Sequence, residues 1–458
     1  MRKDFPIAPP PKRQVAQTIT IHTSNLFDSR HKRFLQDVSL EVDPTTGLIT
    51  RTYTRSSEYD VPSPAQNVSD TSNSTIDLRG LTVIPGLVDA HTHIFLHSYA
   101  ETSSLNQMRD ESAVERIVRA TNHARAALDA GYTTYRDLGT EGLRDADVGF
   151  RDAINRGLMP GPRMFVATEC IASSGGYEIR EESHQLGGFG GGGPPRISDP
   201  ADGIYGVRAA VRRRLGAGAD VVKFYADYRK RRLRFPAPVW PGARPIEFTP
   251  CSSNPLDNKE NPNVLLFTQE EMDAMVAEAK ASKVPIAAHA QSPEAVIMAA
   301  KAGVTSIEHG FVPSREALCA MQTYGTIFVP TLAVLEADIT DKNQEVFQRI
   351  LQHTKAAHDM GIKMACGGDT GAFPHGENVR ELELMLQASI PLPDILQAAT
   401  LHGWESCGGD LCGRKFGVLE EGFAADIVAL EGDVQRSSDA LRKVKFVMKD
   451  ARVYKDTR

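Results

Sequence analysis

Two imidazoles spaced two residues apart, His91 and His93, close the segment Val83-Ile84-Pro85-Gly86-Leu87-Val88-Asp89-Ala90-His91-Thr92-His93. In an extended strand, residues i and i+2 project to the same face, so both rings can reach one cation. The chain has 13 histidines in 458 residues, so a lone His-x-His pair carries little weight without structural context. Four further candidates supply that context, each at the end of an apolar, strand-like run. Lys223 follows Val221-Val222, His289 follows Ile286-Ala287-Ala288, His309 follows Ser306-Ile307-Glu308, and Asp369 follows Ala365-Cys366-Gly367-Gly368. Taken singly, each histidine reads as a hydrogen-bonded structural residue and Asp369 as a turn former. Taken together, four imidazoles, an amine and a carboxylate at the same ends of successive strands point to a metal centre.

The elements that must position them alternate in type. Beyond Leu81, apolar runs and helical patterns succeed one another, which predicts parallel β/α units and a (β/α)8 TIM-type barrel whose strand C-termini meet at one mouth. Ser112-Ala113-Val114-Glu115 and Thr268-Gln269-Glu270-Glu271 have capping-box spacing, and Ser292-Pro293 supplies a cap with proline in the first turn. The first of these predicts a helix with Val114, Ile117, Val118, Thr121, Ala124 and Leu128 on its inner face. The 20-residue step from His289 to His309 is one helix plus one strand, so adjacent strands are expected to carry them. Residues 18–22, 38–42 and 48–53 read as short strands of a small β domain, which the β-like runs after Phe416 are expected to rejoin. Residues 55–75 read as a mobile surface loop. The glycine-rich run 187–193 and the proline-rich stretch 227–263 interrupt the alternation as candidate rim or lid elements.

Composition excludes several function classes. Hydrophobic residues make up 41% and charged residues 24%, and no apolar run reaches transmembrane length, so no membrane partner is expected. A formal net charge of −6 gives no reason to expect nucleic acid; the basic run Arg229, Lys230, Arg231, Arg232 and Arg234 reads as a solvated loop or, alternatively, a site for anionic substrate groups. Six cysteines without a Cys-x-x-Cys pair do not form a disulfide framework or zinc finger. The N-terminus has no secretory hydrophobic segment, which places the protein in the cytoplasm as an expectation.

The chain resembles the amidohydrolase superfamily, in particular the binuclear branch containing Xaa-Pro dipeptidases and ochratoxinase-like carboxypeptidases. The resemblance rests on the segment ending in His91-Thr92-His93, Thr133-Thr134-Tyr135-Arg136-Asp137, Val221-Val222-Lys223, His289-Ala290, Ile307-Glu308-His309-Gly310, Gly368-Asp369-Thr370-Gly371, Pro374-His375-Gly376 and Glu421-Gly422-Phe423-Ala424-Ala425-Asp426. It implies an α/β fold in which residues 85–412 form the barrel, with insertions near 183–198 and 227–263. Residues 1–84 and 413–458 would build a small β-sandwich domain from both chain ends. It further implies His91, His93 and Asp369 on one divalent ion, His289 and His309 on a second, and Lys223 bridging both as N6-carboxylysine, since an ammonium has no lone pair and a carbamate does. Zinc suits that imidazole-rich set. The implied reaction is hydrolysis of an amide bond, peptide-like or N-acyl amino acid, in a small molecule by a metal-bridging hydroxide, with Asp369 moving the proton.

The pattern loosens at Ser174-Gly175-Gly176-Tyr177 and after Lys223, so substrate contacts are assigned to Tyr177, Tyr225, Arg229 and His375. The same centre also suits a cyclic amide or lactone hydrolase or a decarboxylase. A catalytically inactive binding or assembly protein is the reading from another class, against which retention of all six ligands stands. A homo-oligomer is expected from the resemblance.

Overall fold

The strand Thr82–Pro85, just ahead of the His91/His93 segment, pairs antiparallel with Ile427–Leu430 and parallel with Asn25–Asp28. The two ends of the chain therefore share a sheet, as the return to short apolar runs after Phe416 predicts. The computed structural model describes residues 17–55, 74–176, 197–229, 242, 263–337 and 344–458. Residues 56–73 of the loop expected at 55–75, the glycine run and most of the 227–263 stretch fall outside them, while Ser74 and Thr75 begin a strand. The shared sheet has six strands in the order Arg452–Asp456, Val444–Lys449, Ile427–Leu430, Thr82–Pro85, Asn25–Asp28, Arg33–Gln36. A second sheet orders Leu48–Thr54, Val38–Asp43, Ile19–His22, Ser74–Asp77. Ile21, Leu40 and Val42 of the second sheet and Leu26, Val83, Ile427, Phe446 and Met448 of the first form one buried cluster, because alternate residues of each strand face the other sheet.

Two runs of parallel strands follow. One orders Arg163–Val166, Tyr132–Asp137, Leu87–Thr92; the other orders Ser198–Pro200, Cys170–Ala172, Val222–Tyr225, Ile286–Ala290, Ser306–His309, Ile327–Val329. Nearly all of their residues are buried, as in parallel sheets covered by helices. The runs meet twice. Asp220 and Val221 donate backbone hydrogen bonds to Val166 O at 2.8 and 3.3 Å. At the other edge, residues around Asp369 lie between Leu87–Thr92 and Ile327–Val329, through parallel bridges Thr92–Thr370 and Phe328–Met364. The run expected to end at Asp369 is thus a pair of single bridges rather than a continuous strand. Gly367 explains the close approach: a Cβ there would stand 2.6 Å from His91 N.

The three expected helix starts are present. Ser112, Thr268 and Ser292 each cap a helix with the side chain accepting a backbone N–H, and Thr268 with Glu271 completes a capping box. The inner face of Ala113–Asp129 matches expectation at Ala124 and Leu128 and differs elsewhere. Arg116, Ala120, Ala124, Ala127 and Leu128 are buried, whereas Val114, Ile117 and Val118 are 72%, 40% and 56% exposed. Alanines let the helix approach the strand layer closely, and the Arg116 guanidinium is satisfied by donating to Phe95 O at 3.2 Å and Thr140 O at 3.4 Å. Those acceptors make its burial tolerable.

Glu381, on the helix Val379–Gln387, is fully buried; Oε2 accepts from Ala333 N at 2.8 Å, while Oε1 has no partner among the described residues. Burial pushes its pKa up to about 8. Between its ordinary value and that value the folded chain binds more protons than the unfolded one, so this group's contribution to stability falls as pH rises through the window. Glu381→Gln keeps an acceptor and removes the charge. It is expected to raise the melting temperature by a few degrees at pH 9 (roughly 2–4 °C per kcal/mol) and to leave it nearly unchanged at pH 4.5, as differential scanning calorimetry at the two pH values checks.

Candidate metal centre

All six side chains picked out in the sequence, His91, His93, Lys223, His289, His309 and Asp369, line one cavity of about 220 Å³. His91 and His93 end the strand Leu87–Thr92 and its continuation; His289 and His309 sit on neighbouring parallel strands, with Ala290 opposite His309. Lys223 occupies the second position of Val222–Tyr225, opposite Ala287. The rings make a continuous series of contacts: His93 to His91 at 5.4 Å between centroids, His91 to His309 at 5.0 Å, and His309 to His289 at 4.4 Å. Asp369 Oδ1 lies 3.2 Å from His93 Nε2 and 3.6 Å from His91 Nε2.

Three of the rings are oriented from behind. His93 Nδ1 donates to Gly139 O at 2.8 Å, His91 Nδ1 lies 3.0 Å from Glu308 Oε2, and His309 Nδ1 lies 2.9 Å from Thr331 Oγ1. Engaging Nδ1 leaves Nε2 for the cavity, the arrangement that outer hydrogen bonds impose on metal-binding histidines. In sequence, Glu308 stands out only as part of the Ile307-Glu308-His309-Gly310 motif. Its role depends on Arg136, 172 positions away, whose Nη2 donates to Glu308 Oε1 at 2.8 Å with both groups fully buried.

Backbone strain is present at the same place. His309, Asp369, Thr331 and Glu141 have φ of +78°, +63°, +48° and +50°. Non-glycine residues held in that region cost of order 1–3 kcal/mol each and cluster at functional sites.

The charges are strongly coupled. Burial would raise Asp369, but the His91 and His93 rings hold it below its ordinary value. Burial would lower His93, yet the hydrogen bond and charge of Asp369 raise it to about 9. Burial and the Lys223 charge lower His91 to about 4, and burial lowers Lys223. Glu308, despite burial, is held low first by Arg136 and then by His91.

These residues fit a cation. His91, His93 and Asp369 each place a ligand atom within 4.8 Å of the others, a group that could hold a metal ion. His289 Nε2 is buried without a hydrogen-bond partner among the described residues, an orphaned lone pair or N–H that costs free energy unless something fills the cavity. Of the residues assigned to substrate, Tyr225 and Arg229 line the cavity, together with Tyr99, Tyr228 and Glu141, which the sequence reading did not single out. Tyr177 lies outside the described residues. His375 is not part of the lining: it stacks on His123 at 4.3 Å, and its Nε2 donates to Leu96 O at 3.1 Å.

The model of the amidohydrolase family matches residues 82–240 and 260–455. Ochratoxinase of Aspergillus niger is 27% identical over 404 residues, covering 82% of this chain and 74% of that protein. A crystal structure of a Xaa-Pro dipeptidase with methionine bound in its active site superposes with a TM-score of 0.74 at 29% identity, covering 96% of this chain and all of the other. The A. niger ochratoxinase structure gives a TM-score of 0.73 at 25% identity, covering 96% of each chain. Family and neighbours imply a TIM barrel carrying an extra domain. The family match covers well over half of the chain and takes in every side chain of the centre, and the chain belongs to the amidohydrolase family of hydrolases acting on carbon–nitrogen bonds.

Proposed function

We propose that this chain is a binuclear metal-dependent amidohydrolase that cleaves a peptide-like or N-acyl amino acid amide in a small molecule. The observation that carries this reading is the convergence of all six candidate ligands on one cavity. His91, His93 and Asp369 would hold one divalent ion, His289 and His309 the other, and Lys223, carboxylated on Nζ by CO₂ with loss of a proton, would bridge them. Zinc matches the imidazole-rich set. Bound ions supply Lewis acidity toward the scissile carbonyl and activate water at neutral pH.

The protein's own residues do the rest. Asp369 is the proton carrier: its Oδ1, beside His91 and His93, accepts a proton from the attacking water and returns it to the leaving nitrogen. Glu308, Gly139 and Thr331 fix the imidazoles, so that little reorganisation accompanies the reaction. The links between the two parallel runs support an eight-stranded (β/α)8 barrel spanning 85–412, and the shared cluster of the two flanking sheets supports a β-sandwich built from residues 1–84 and 413–458.

The test is chelation and reloading. Stripped protein is expected to lose hydrolysis of dipeptides and N-acyl amino acids and to regain it as zinc or manganese is added, with elemental analysis reading two ions per chain at the plateau. Lys223→Ala is expected to bind fewer ions and to stay inactive at that plateau. Full activity in stripped protein would refute metal dependence, and saturation at one ion would refute the binuclear centre.

A further inference from the structure

Among the described residues, the cavity carries one acid that the reaction above does not use. Glu141 follows Gly139-Thr140 beyond the strand Tyr132–Asp137, lines the cavity, and has a side chain only 12% exposed. Its φ of +50° is a strained choice for a residue with a β-carbon. Gly139 makes room for it: a Cβ there would meet Glu141 Oε1 and His93 Cε1 at 3.4 Å and Cys170 Sγ at 2.9 Å.

Among the described residues, no hydrogen bond reaches the Glu141 carboxylate. The approach it does make is to His93 Nδ1 at 3.6 Å, and that N–H is already donated to Gly139 O. Burial raises the Glu141 pKa, opposed first by the charge of His93 and then by that of Arg116, whose guanidinium is directed to the Phe95 and Thr140 carbonyls. A carboxylate largely withdrawn from water with so little compensation is costly, and a ligand bearing N–H donors and positive charge would relieve the cost.

The far side of the cavity has the opposite charge. His93, beside Glu141, begins the series of ring contacts that ends at His289, and Tyr225 and Tyr228 each pack on His289 at 5.1 Å. Arg229 lies over the Tyr228 ring at 5.1 Å and donates from Nη2 to its hydroxyl at 3.0 Å. The lining therefore runs from an acid beside His93 to a guanidinium beyond His289, with the candidate ligands between.

We propose that Glu141 is the specificity residue that binds the free α-ammonium of the substrate, while Arg229 faces its carboxylate, so that the preferred substrates are small zwitterionic peptides rather than N-acyl amino acids. The inference rests on the amidohydrolase reading and narrows its substrate class. As bounded by the described residues, the cavity is small beside the roughly 300–1,000 Å³ of pockets for drug-sized ligands, which suits a dipeptide. An acyl cap on the nitrogen would remove the charge that Glu141 needs and leave the carboxylate unpaired. Such a mismatch in a buried polar site discriminates far better than a misfit of apolar volume.

The experiment compares kcat/KM of the metal-loaded enzyme for a dipeptide, its N-acetylated form and its des-amino analogue, in the wild type and in Glu141→Gln, with metal content measured on each. The wild type is expected to favour the free amine by roughly 100-fold. Glu141→Gln is expected to collapse that ratio by at least about tenfold, mainly through KM for the free amine, at unchanged metal content. A wild-type preference for the N-acetylated or des-amino compound overturns the proposal without any variant and leaves amide hydrolysis standing. A loss in Glu141→Gln shared equally by all three compounds, or accompanied by loss of metal, makes Glu141 a support for His93 and overturns it as well. Hydrolysis of none of them by the loaded wild type overturns the parent reading with it.

Discussion

Asp369→Asn is expected to lower kcat by about three orders of magnitude or more while the protein keeps its fold. The magnitude follows from what the side chain is asked to do. A positioned general acid or base contributes on the order of 10²–10⁴ in rate, and asparagine can neither take the proton of water nor return one to an amine. The substitution also removes the negative charge facing His91 and His93, whose Nε2 atoms lie 3.6 and 3.2 Å from Oδ1. Structure should survive for two reasons. The backbone contacts here belong to the main chain, with Asp369 N donating to His91 O at 3.0 Å. Asparagine also tolerates the φ of +63° better than most residues. Single-turnover and steady-state rates on one amide substrate, alongside a thermal melt, separate the effects. A variant within tenfold of wild type at full metal occupancy would remove Asp369 from proton transfer.

The residues of this centre were legible because strand periodicity and strand ends are local properties. His91 and His93 share a face through a two-residue period, and His289 and His309 sit on neighbouring strands because 20 residues suffice for one helix and one strand. Caps at Ser112, Thr268 and Ser292 were legible for the same reason. What escaped depends on topology. Nothing near Glu308 in sequence announces that a guanidinium from Arg136 will neutralise it. Nothing near Glu141 says that the chain will turn through a left-handed conformation to present its carboxylate to the cavity. The helix Ala113–Asp129 shows the limit of periodicity: it carries two apolar stripes, and the small-residue stripe of Ala120, Ala124 and Ala127 packs inward while the larger Val114, Ile117 and Val118 remain outside. Hydrophobicity ranks the bulky stripe first; closeness of approach to the strand layer favours the alanines.

Arg136→Met is expected to destabilise the fold by about 3–5 kcal/mol, the range for removing one partner of a buried ion pair. The guanidinium makes four directed bonds: Nε to Ala90 O at 2.6 Å, Nη1 to Ser306 Oγ at 2.8 Å and Ser406 O at 3.1 Å, and Nη2 to Glu308 Oε1 at 2.8 Å. It thereby ties the strands Leu87–Thr92, Tyr132–Asp137 and Ser306–His309 to the end of the helix Leu401–Ser406. Lysine would restore the charge but not the fork, so Arg136→Lys should recover only part of the loss. The penalty of Arg136→Met is mostly that of stranding the Glu308 carboxylate, which the double variant Arg136→Met/Glu308→Gln tests directly. If stranding dominates, the double variant is more stable than Arg136→Met alone, and the cycle shows a coupling well above the ~0.5 kcal/mol of independent sites. Urea midpoints on the four proteins give that coupling. A single-variant loss below about 1 kcal/mol would mean that Glu308 finds another partner or a proton. Activity provides the second readout: Glu308 holds His91 from behind, so stabilising the fold through Glu308→Gln should not restore turnover, because a neutral amide orients the imidazole less firmly than a carboxylate does.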